Sequence, residues 1–356
     1  MPHDPYKALY IHIPYCVSKC IYCDFKSYAV PCSSDEIDSY VERLISDIRK
    51  KANEGELSDI KTIYIGGGTP SHIGNKRLCE LIYAISLFID LSDVEFSMEA
   101  NPESLTEAMV KDIYALGVNR LSLGVQSFDD DVLKFLGRAH DAQRAKEAID
   151  IAKSRFSNIS IDLMCGIPGQ SLESFIDTVK QAISCDVAHM SVYPLSIEQH
   201  TPLDKLVMQG KVPEPDSDVQ ARQMIVASEL LKEAGYERYE VASYAKPGFE
   251  CKHNTAYWTG VPYLGLGMSA ATMTQNQNRR MRMIDGEVSD DLGIAQMKAE
   301  DLMMGMRMTK GMSDNDVASA VSLLPELPQT LDNLIEKGLI EHTDGRYRPT
   351  QQGWLC

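Results

Sequence analysis

Three cysteines near the start of the chain constrain its fold more than any other feature. Cys16, Cys20 and Cys23 form a C-x3-C-x2-C pattern directly after a short apolar run that predicts a β-strand. Three thiolates on one loop suit zinc or an iron–sulfur cluster. A structural zinc site normally has four ligands in two separated pairs. An odd set of three instead favours a four-iron cluster with one iron open to a second ligand.

Strands and helices alternate through the first half of the sequence. After the strand that precedes the cysteines, β-rich segments are predicted at 61–65, 94–98, 120–125, 159–163 and 189–193. Amphipathic helices are predicted between them at 33–53, 78–88, 106–116 and 172–184, and two helices are predicted within 130–153. This alternation is typical of βα units around a parallel sheet. Six units are too few for a closed eight-stranded barrel, so the pattern predicts an α/β fold with an open, partial (βα)6 barrel.

Glycine-rich or polar residues stand where several predicted strands end, the edge at which barrel enzymes keep their active sites. The run Gly-Gly-Gly-Thr-Pro at 66–70 allows close approach of the backbone to a ligand. Glu99 and Gln126 directly follow the predicted strands 94–98 and 120–125, and Asp162 lies in the predicted strand 159–163. Alone, each is more often a surface residue or a helix cap. As an ordered set they predict one binding site.

The cysteine loop resembles that of the radical S-adenosylmethionine (radical SAM) superfamily. The flanking Tyr10-x-His-Ile-Pro-Tyr-Cys16 is similar to the branch that contains anaerobic coproporphyrinogen III oxidases and HemW-type heme chaperones. This resemblance implies a [4Fe–4S] cluster on Cys16, Cys20 and Cys23. It also implies that S-adenosylmethionine binds the open iron through its amino and carboxylate groups, and that electron transfer from the cluster releases a deoxyadenosyl radical.

The same resemblance assigns further cofactor contacts along the barrel. The positions that match are Tyr22, Gly67, Gly68, Thr69, Glu99, Gln126, Arg138 and Asp162. Tyr10 is expected either to pack against the cofactor or to be an ordinary strand tyrosine. In the oxidases some of these positions serve a second cofactor molecule, and the sequence leaves open whether one binds here.

Two features separate the chaperones from the oxidases. The oxidase motif continues C-x3-C-x2-C-x-C, whereas this chain has Asp24 and Phe25 after Cys23. His253-Asn-x-x-Tyr-Trp258 resembles the HNxxYW signature of the chaperones. Histidine is a common axial ligand of heme iron, so the resemblance implies that His253 binds heme. Cys251 is an alternative thiolate ligand or a bystander.

The resemblance therefore implies a chaperone that binds the cluster, the cofactor and heme. It would pass heme to apoproteins such as respiratory-chain components and need an electron donor for its cluster. The alternative is an enzyme, an oxygen-independent oxidase that decarboxylates coproporphyrinogen III to protoporphyrinogen IX. Whether the chain is an enzyme stays open. A DNA-binding regulator is the third and weakest hypothesis.

Composition bounds the partners and the domains. The net charge of −16 argues against nucleic acid as a partner. No apolar run is long enough for a membrane span, so we expect a cytoplasmic protein that is not an integral membrane protein. The predicted divisions are a barrel with the cluster loop at 1–210, a barrel-covering segment with the HNxxYW motif at 211–290, and a winged-helix-like α+β domain at 291–356. In the last, a Met-rich helix at 297–308 precedes two short helices and a hairpin at 338–349.

Overall fold

A twelve-stranded sheet organises residues 3–356, the part of the chain that the computed structural model describes. In chain order the strands are β1 (Ala8–Ile13), β2 (Tyr15–Cys16), β3 (Tyr28–Ala29), β4 (Thr62–Gly67), β5 (Glu95–Ala100), β6 (Arg120–Gln126), β7 (Ile159–Cys165), β8 (His189–Pro194), β9 (Glu237–Arg238), β10 (Ser243–Ala245), β11 (Tyr263–Leu266), β12 (Ala271–Asn276), β13 (Arg279–Ile284), β14 (Glu287–Gly293), β15 (Met312–Ser313), β16 (Ile340–Thr343) and β17 (Arg346–Pro349). The helices are α1 (Asp35–Asn53), α2 (Asn75–Ser86), α3 (Glu107–Ala115), α4 (Asp130–Leu136), α5 (Ala142–Lys153), α6 (Leu172–Ser184), α7 (Pro202–Met208), α8 (Ser217–Glu233), α9 (Lys252–Trp258), α10 (Ile294–Gly305), α11 (Asp314–Val321) and α12 (Leu327–Glu336).

The centre of the sheet is a run of parallel strands in the order of the chain. β1, β4, β5, β6, β7 and β8 pair in that sequence, each parallel to the next. Helices α1 to α6 connect them, as βα crossovers require. The order of the strands ends at β14 on one side and β9 on the other, so the sheet does not close within residues 3–356. The predicted α/β fold with an open barrel of six βα units is confirmed.

The two faces of the parallel strands differ in chemistry. In β6, Leu121, Leu123 and Val125 are fully buried in the main hydrophobic core, whereas Arg120 and Ser122 line a cavity on the other face. Side chains alternate between faces along a strand, so the outer face packs on the helices while the inner face carries polar groups. Strands buried in hydrocarbon on both faces would read as continuous apolar runs.

The helices begin at side chains that cap their free backbone amides. Ser34 accepts from the amide of Glu36 at 3.3 Å before α1, and Thr106 accepts from that of Met109 at 3.2 Å before α3. The Met-rich helix predicted at 297–308 instead runs from Ile294 to Gly305. It starts three residues early because the Gly293 amide donates to Gln296 Oε1 at 3.0 Å, which fixes its first turn.

The middle of the chain extends the sheet at both edges, which the sequence analysis did not predict. β11 pairs parallel with β1, and β12, β13 and β14 follow it as antiparallel strands. β10 and β9 add to the other edge beside β8. Residue 290, the predicted end of the middle segment, falls inside β14. The division at 210 and 290 therefore stays a prediction.

The last part of the chain forms a small α+β unit. Helices α10, α11 and α12 accompany a three-stranded sheet in the order β15, β17, β16. Its separate hydrophobic core consists of Leu302, Met312, Val317, Ala320, Leu331 and Ile340. Helices with a two-stranded hairpin agree with the predicted winged-helix-like arrangement. None of the helices in residues 3–356 has the length and apolar character needed to cross a bilayer.

A matched pair of phenylalanines tests where the core lies. Phe96, on β5, has no exposed surface, whereas Phe88, after α2, is 40% exposed. We expect Phe96→Ala to lower the free energy of unfolding by about 3–5 kcal/mol, because it removes buried area and leaves a cavity. Phe88→Ala should cost no more than about 0.5 kcal/mol. Urea unfolding followed by circular dichroism measures both, and equal losses would contradict the assignment of the core.

Candidate functional site

The three cysteines of the loop lie around one cavity of about 140 Å³ at the carboxyl ends of the parallel strands. This cavity, here called the cysteine cavity, brings together residues that are far apart in sequence. Besides Cys16, Cys20 and Cys23 it is lined by Tyr22, Gly67, Gly68, Thr69, Glu99, Gln126, Arg138 and Asp162, among others. Of the residues predicted to contact the cofactor, all but Tyr10 are in this lining. The parallel sheet explains the convergence, since its strands all end at one edge.

Backbone hydrogen bonds hold the cysteine loop in place. The amide of Ile21 donates to Leu136 O at 3.2 Å, and the carbonyl of Ile21 accepts from Leu203 N at 2.8 Å. Nε2 of His12, on β1, lies 2.9 Å from the carbonyl of Lys26 at the far end of the loop. The loop is therefore anchored to β1, to the end of α4 and to the start of α7.

Each of two thiols has a polar neighbour. Thr69 Oγ1 lies 3.4 Å from Cys16 Sγ, and Arg138 Nη1 lies 3.5 Å from Cys20 Sγ. Burial raises the pKa of the Cys16 and Cys23 thiols. A cation at the centre of the loop would reverse that shift, because a thiol that binds iron does so as a thiolate.

The donor set fits a cluster better than a single ion. Within residues 3–356 no three His, Cys, Asp or Glu side chains converge on a point where one metal ion could sit. In an iron–sulfur cluster each thiolate binds a different iron, so the sulfurs surround the cluster instead of converging. Three cysteines around one cavity, each able to bind a different iron, match a cluster that keeps one iron open.

The glycine run lies against the cysteine loop so closely that side chains would not fit. A Cβ on Gly68 would be 3.0 Å from Cys16 Sγ and 2.9 Å from the carbonyl oxygen of Tyr15. Gly67 has φ +117°, and a Cβ there would be 2.6 Å from the ring of His12. Glycine at both positions lets the end of β4 meet the loop and leaves the cavity open.

Glu99 links the glycine run to the interior of the barrel. Its Oε1 accepts from the Tyr64 hydroxyl at 2.9 Å, and its Oε2 accepts from the Gly67 amide at 3.0 Å. Burial raises the pKa of Glu99 from 4.5 to about 7, against the opposing effect of these two donors. Burial likewise raises the pKa of Asp162, which accepts from Ser122 Oγ at 3.2 Å. Two carboxyl groups therefore face the cavity with a weakened tendency to ionise.

Arg138 is held by hydrogen bonds of its side chain, and Gln126 has an unusual backbone conformation. Arg138 Nη2 donates to Asn101 Oδ1 at 2.8 Å and to the carbonyl of Gly124 at 2.6 Å. Its buried Nε has no hydrogen-bond partner within residues 3–356. Gln126 has a positive φ of 69°, and the register between β6 and β7 shifts just before it. A non-glycine residue in this conformation is strained, as is common where a side chain is aimed at a ligand.

Tyr10 lies outside the cysteine cavity. Its hydroxyl lies 2.9 Å from His12 Nδ1, and its ring stacks on that of Tyr64 with centroids 6.3 Å apart. It lines a neighbouring cavity that shares Phe25, Gly67 and Glu99 with the cysteine cavity. Tyr10 therefore orients His12, and through it the end of the cysteine loop.

His253 lies at the opposite end of the barrel strands. It is 1% exposed, with Nδ1 2.9 Å from Thr62 Oγ1 and Nε2 3.0 Å from the Tyr257 hydroxyl. Thr62 begins β4 and Gly67 ends it, which puts roughly 16 Å of strand between His253 and the cysteine cavity. Burial, with the charge of Arg120, lowers the pKa of His253 to about 3, so its ring is neutral.

Both ring nitrogens of His253 are thus engaged in this conformation. Coordination of iron by either nitrogen would require the Thr62 or the Tyr257 contact to open. Cys251 is fully buried at the N-terminus of α9, where its Sγ lies 3.5 Å from the Asn254 amide. Burial raises the pKa of this thiol to about 12, which disfavours a free thiolate.

Several inward-facing residues were missed by the sequence analysis. They are His12, Tyr64, Asn101, Arg120 and Ser122. The signal that could have found them is the alternation of polar and apolar residues, as in Arg-Leu-Ser-Leu-Gly-Val-Gln at 120–126. That alternation marks one face of the strand as a polar interior and not as a packed core.

Comparison with known sequences gives two family matches. The sequence profile of the radical SAM superfamily matches residues 10–182, and that of the HemN C-terminal domain matches residues 296–356. The chain is 34% identical to heme chaperone HemW from Bacillus subtilis, over 98% of this chain and 96% of that protein. It is 40% identical to heme chaperone HemW from Escherichia coli, over 75% of this chain and 70% of that protein.

Comparison with solved structures agrees on the fold. Coproporphyrinogen III oxidase (HemN) from Escherichia coli, described as a radical SAM enzyme, superposes with a TM-score of 0.80. The match covers 99% of this chain and 88% of that chain at 20% sequence identity. At this identity the likeness concerns the architecture of the barrel and of the C-terminal unit, and not the reaction.

A glycine substitution tests the contact between the glycine run and the loop. In Gly68→Ala the new methyl meets Cys16 Sγ and two backbone carbonyls, so the loop must shift at a cost of about 1–3 kcal/mol. We expect most of the iron and sulfide to be lost from the reconstituted protein. Gly293→Ala is the control, since its nearest neighbour is 3.8 Å away. Undiminished iron in Gly68→Ala would show that Cys16 is not held there for a cluster.

The raised pKa of Glu99 predicts a pH dependence of stability. The folded carboxyl keeps its proton up to pH about 7, whereas an unfolded glutamate loses it near its ordinary value of 4.5. Between these two pH values the folded state therefore binds more protons than the unfolded state. The contribution of the Glu99 carboxyl to the free energy of unfolding falls as the pH rises through this range. Glu99→Gln lacks this contribution, so its melting temperature should gain on that of the parent between pH 4.5 and 7. If the melting temperatures of the two cluster-free proteins change by the same amount between pH 4.5 and 7, the pKa of Glu99 is not raised.

Proposed function

Because the chain belongs to the radical SAM superfamily, and within it to the HemW family, we propose that it is a heme chaperone. The observation that carries this proposal is the similarity to Bacillus subtilis heme chaperone HemW along 98% of the chain. Two local features support it. Asp24 and Phe25 follow the third cysteine, and the His-Asn-x-x-Tyr-Trp signature begins at His253.

Cys16, Cys20 and Cys23 would hold a [4Fe–4S] cluster, and S-adenosylmethionine would occupy the rest of the cysteine cavity. When bound, the cluster supplies electrons to the cofactor, which requires an external electron donor. Arg138 suits a ligand carboxylate because one guanidinium nitrogen has no hydrogen-bond partner within the described residues. Glu99, Gln126 and Asp162 offer acceptors for hydroxyl groups.

The remaining predicted cofactor contacts have backbone or packing roles. Gly67 and Gly68 would let the backbone approach the amino group of the cofactor, and Thr69 would hold Cys16 through its hydroxyl. Tyr22 would cover the cluster from the loop itself. Tyr10 would act at one remove, by orienting His12.

His253 is the proposed axial ligand of heme. Its neutral imidazole is the form that binds iron. Coordination would follow when the Tyr257 hydroxyl leaves Nε2, one helical turn away on α9. Heme would be the cargo, and apoproteins such as respiratory-chain components would receive it. The net charge of −16 argues against nucleic acid as a partner.

An anaerobic experiment distinguishes the chaperone from the oxidase. The reconstituted protein is titrated with hemin and, in parallel, incubated with S-adenosylmethionine, a reductant and coproporphyrinogen III. We expect saturable hemin binding and no protoporphyrinogen. Cys20→Ala is the control for the cluster. It should remain folded but lose the absorption of the cluster, because one of the three proposed ligands is missing. Formation of protoporphyrinogen by the parent would overturn the chaperone proposal in favour of the oxidase.

Two substitutions on α9 test the heme ligand. His253→Ala should weaken hemin binding and change the heme absorption spectrum, because the axial nitrogen is lost. Tyr257→Phe removes only the hydroxyl that engages Nε2, so hemin affinity should stay the same or rise. Hemin binding by His253→Ala that equals the parent's in affinity and spectrum would exclude His253 as the ligand.

A further inference from the structure

Arg120 is a buried cation without a direct counter-ion. It is the first residue of β6 and is 1% exposed, and its Nε has no hydrogen-bond partner within residues 3–356. Arg280, also buried, shows the ordinary solution, because it contacts Glu300 at 2.5 Å and Asp301 at 2.7 Å. A buried charge that lacks such a partner is costly, and a ligand that offers a carboxylate to the guanidinium would offset that cost.

The carboxyl groups that interact electrostatically with Arg120 are Glu95, Glu99 and Asp162, and each accepts hydrogen bonds from other donors. Glu95 accepts from the amides of Lys252 and His253 at 3.0 and 2.9 Å, and so caps α9. Glu99 accepts from Tyr64 and Gly67, and Asp162 accepts from Ser122. These groups balance the charge of Arg120 at a distance but leave its guanidinium free to donate.

Arg120 lines a cavity of about 370 Å³ inside the barrel. This inner cavity shares Glu99, Gln126 and Asp162 with the cysteine cavity, so the two are continuous. At the carboxyl ends of the strands and on the cysteine loop it is lined by the aromatic or apolar residues Tyr22, Phe25, Met164, Tyr193 and Leu195, together with the acidic Asp24 and Glu198. At about 3.3 Å per residue, Arg120 lies roughly 20 Å along β6 from Gln126. The cavity thus offers aromatic and apolar surface near its mouth and a cation at its floor.

We propose that Arg120 binds a carboxylate of a ligand that occupies the inner cavity. A flat apolar body with an acidic arm matches this polarity, and a propionate of a tetrapyrrole is such an arm. That source rests on the proposed heme-chaperone function. The α-carboxylate of a second S-adenosylmethionine molecule, one that does not bind the open iron, has the same chemistry and would reach Arg120 by the same route. Arginine gives a planar pair of donors to either carboxylate.

Pairs of ligands that differ only in a free carboxylate show whether Arg120 binds a propionate or the α-carboxylate of the cofactor. The cluster-loaded full-length protein is titrated anaerobically, in one detergent buffer, with hemin and hemin dimethyl ester. A second pair is S-adenosylmethionine and its decarboxylated form. A charge-assisted hydrogen bond should make the parent prefer the acid of the relevant pair by about tenfold or more. In Arg120→Met the preference for the acid over the matched ligand should be smaller than in the parent, because the guanidinium that binds the carboxylate is gone.

Matched variants keep the result interpretable. Arg49→Met removes one positive charge from the exposed surface of α1 and should retain the full preference. Arg120→Lys keeps the charge but not the planar fork, so it should retain part of the preference. If Arg120→Met does not fold, the lysine variant decides, with circular dichroism and iron content as checks on folding.

Each outcome bears on the proposal in a definite way. Loss of preference in the hemin pair alone assigns Arg120 to a propionate, and loss in the cofactor pair alone assigns it to the α-carboxylate. Preferences that Arg120 substitution leaves unchanged in both pairs overturn the inference. A parent that binds neither hemin nor its ester would refute the heme-chaperone function, and the cofactor pair would then test Arg120 by itself.

Discussion

The rest of the structure depends on a sheet that packs hydrocarbon against only one of its faces. The outer residues of the parallel strands, such as Phe96 and Leu123, are fully buried beneath the helices. The inner residues include Glu99, Arg120 and Asp162, which could not form a dense apolar core. The helices therefore supply most of the stabilising burial, and the inside of the open barrel is left available for ligands.

The polar interior concentrates charges where water is scarce, and this sets the character of the site. Glu99 and Asp162 resist ionisation there, while Arg120 and Arg138 each keep a guanidinium nitrogen without a protein partner in residues 3–356. Groups of this kind are costly in an empty barrel and favourable beside a complementary ligand. The glycine run solves the matching steric problem, since any side chain on Gly68 would collide with the cysteine loop.

The two ends of the barrel are joined through Tyr64. Its hydroxyl donates to Glu99 beside the cysteine cavity, and its ring stacks on His253 with centroids 5.1 Å apart. The same tyrosine lines the inner cavity above Arg120. A ligand in the inner cavity would therefore contact Tyr64, which lies between the proposed cluster site and His253.

The sequence by itself determined the order of the βα units, the boundaries of the helices to within a few residues, and the cysteine loop. These depend on local signals: alternation along strands, helical spacing of apolar residues, caps, and cysteine spacing. Only the tertiary structure decided that β11 to β14 extend the sheet beside β1, because such pairing joins residues more than two hundred positions apart. It also decided that Tyr10 orients His12, that both nitrogens of His253 are engaged, and that Arg120 lacks a direct counter-ion. Those properties depend on which side chains meet across the barrel, and no local pattern in the chain encodes such distances.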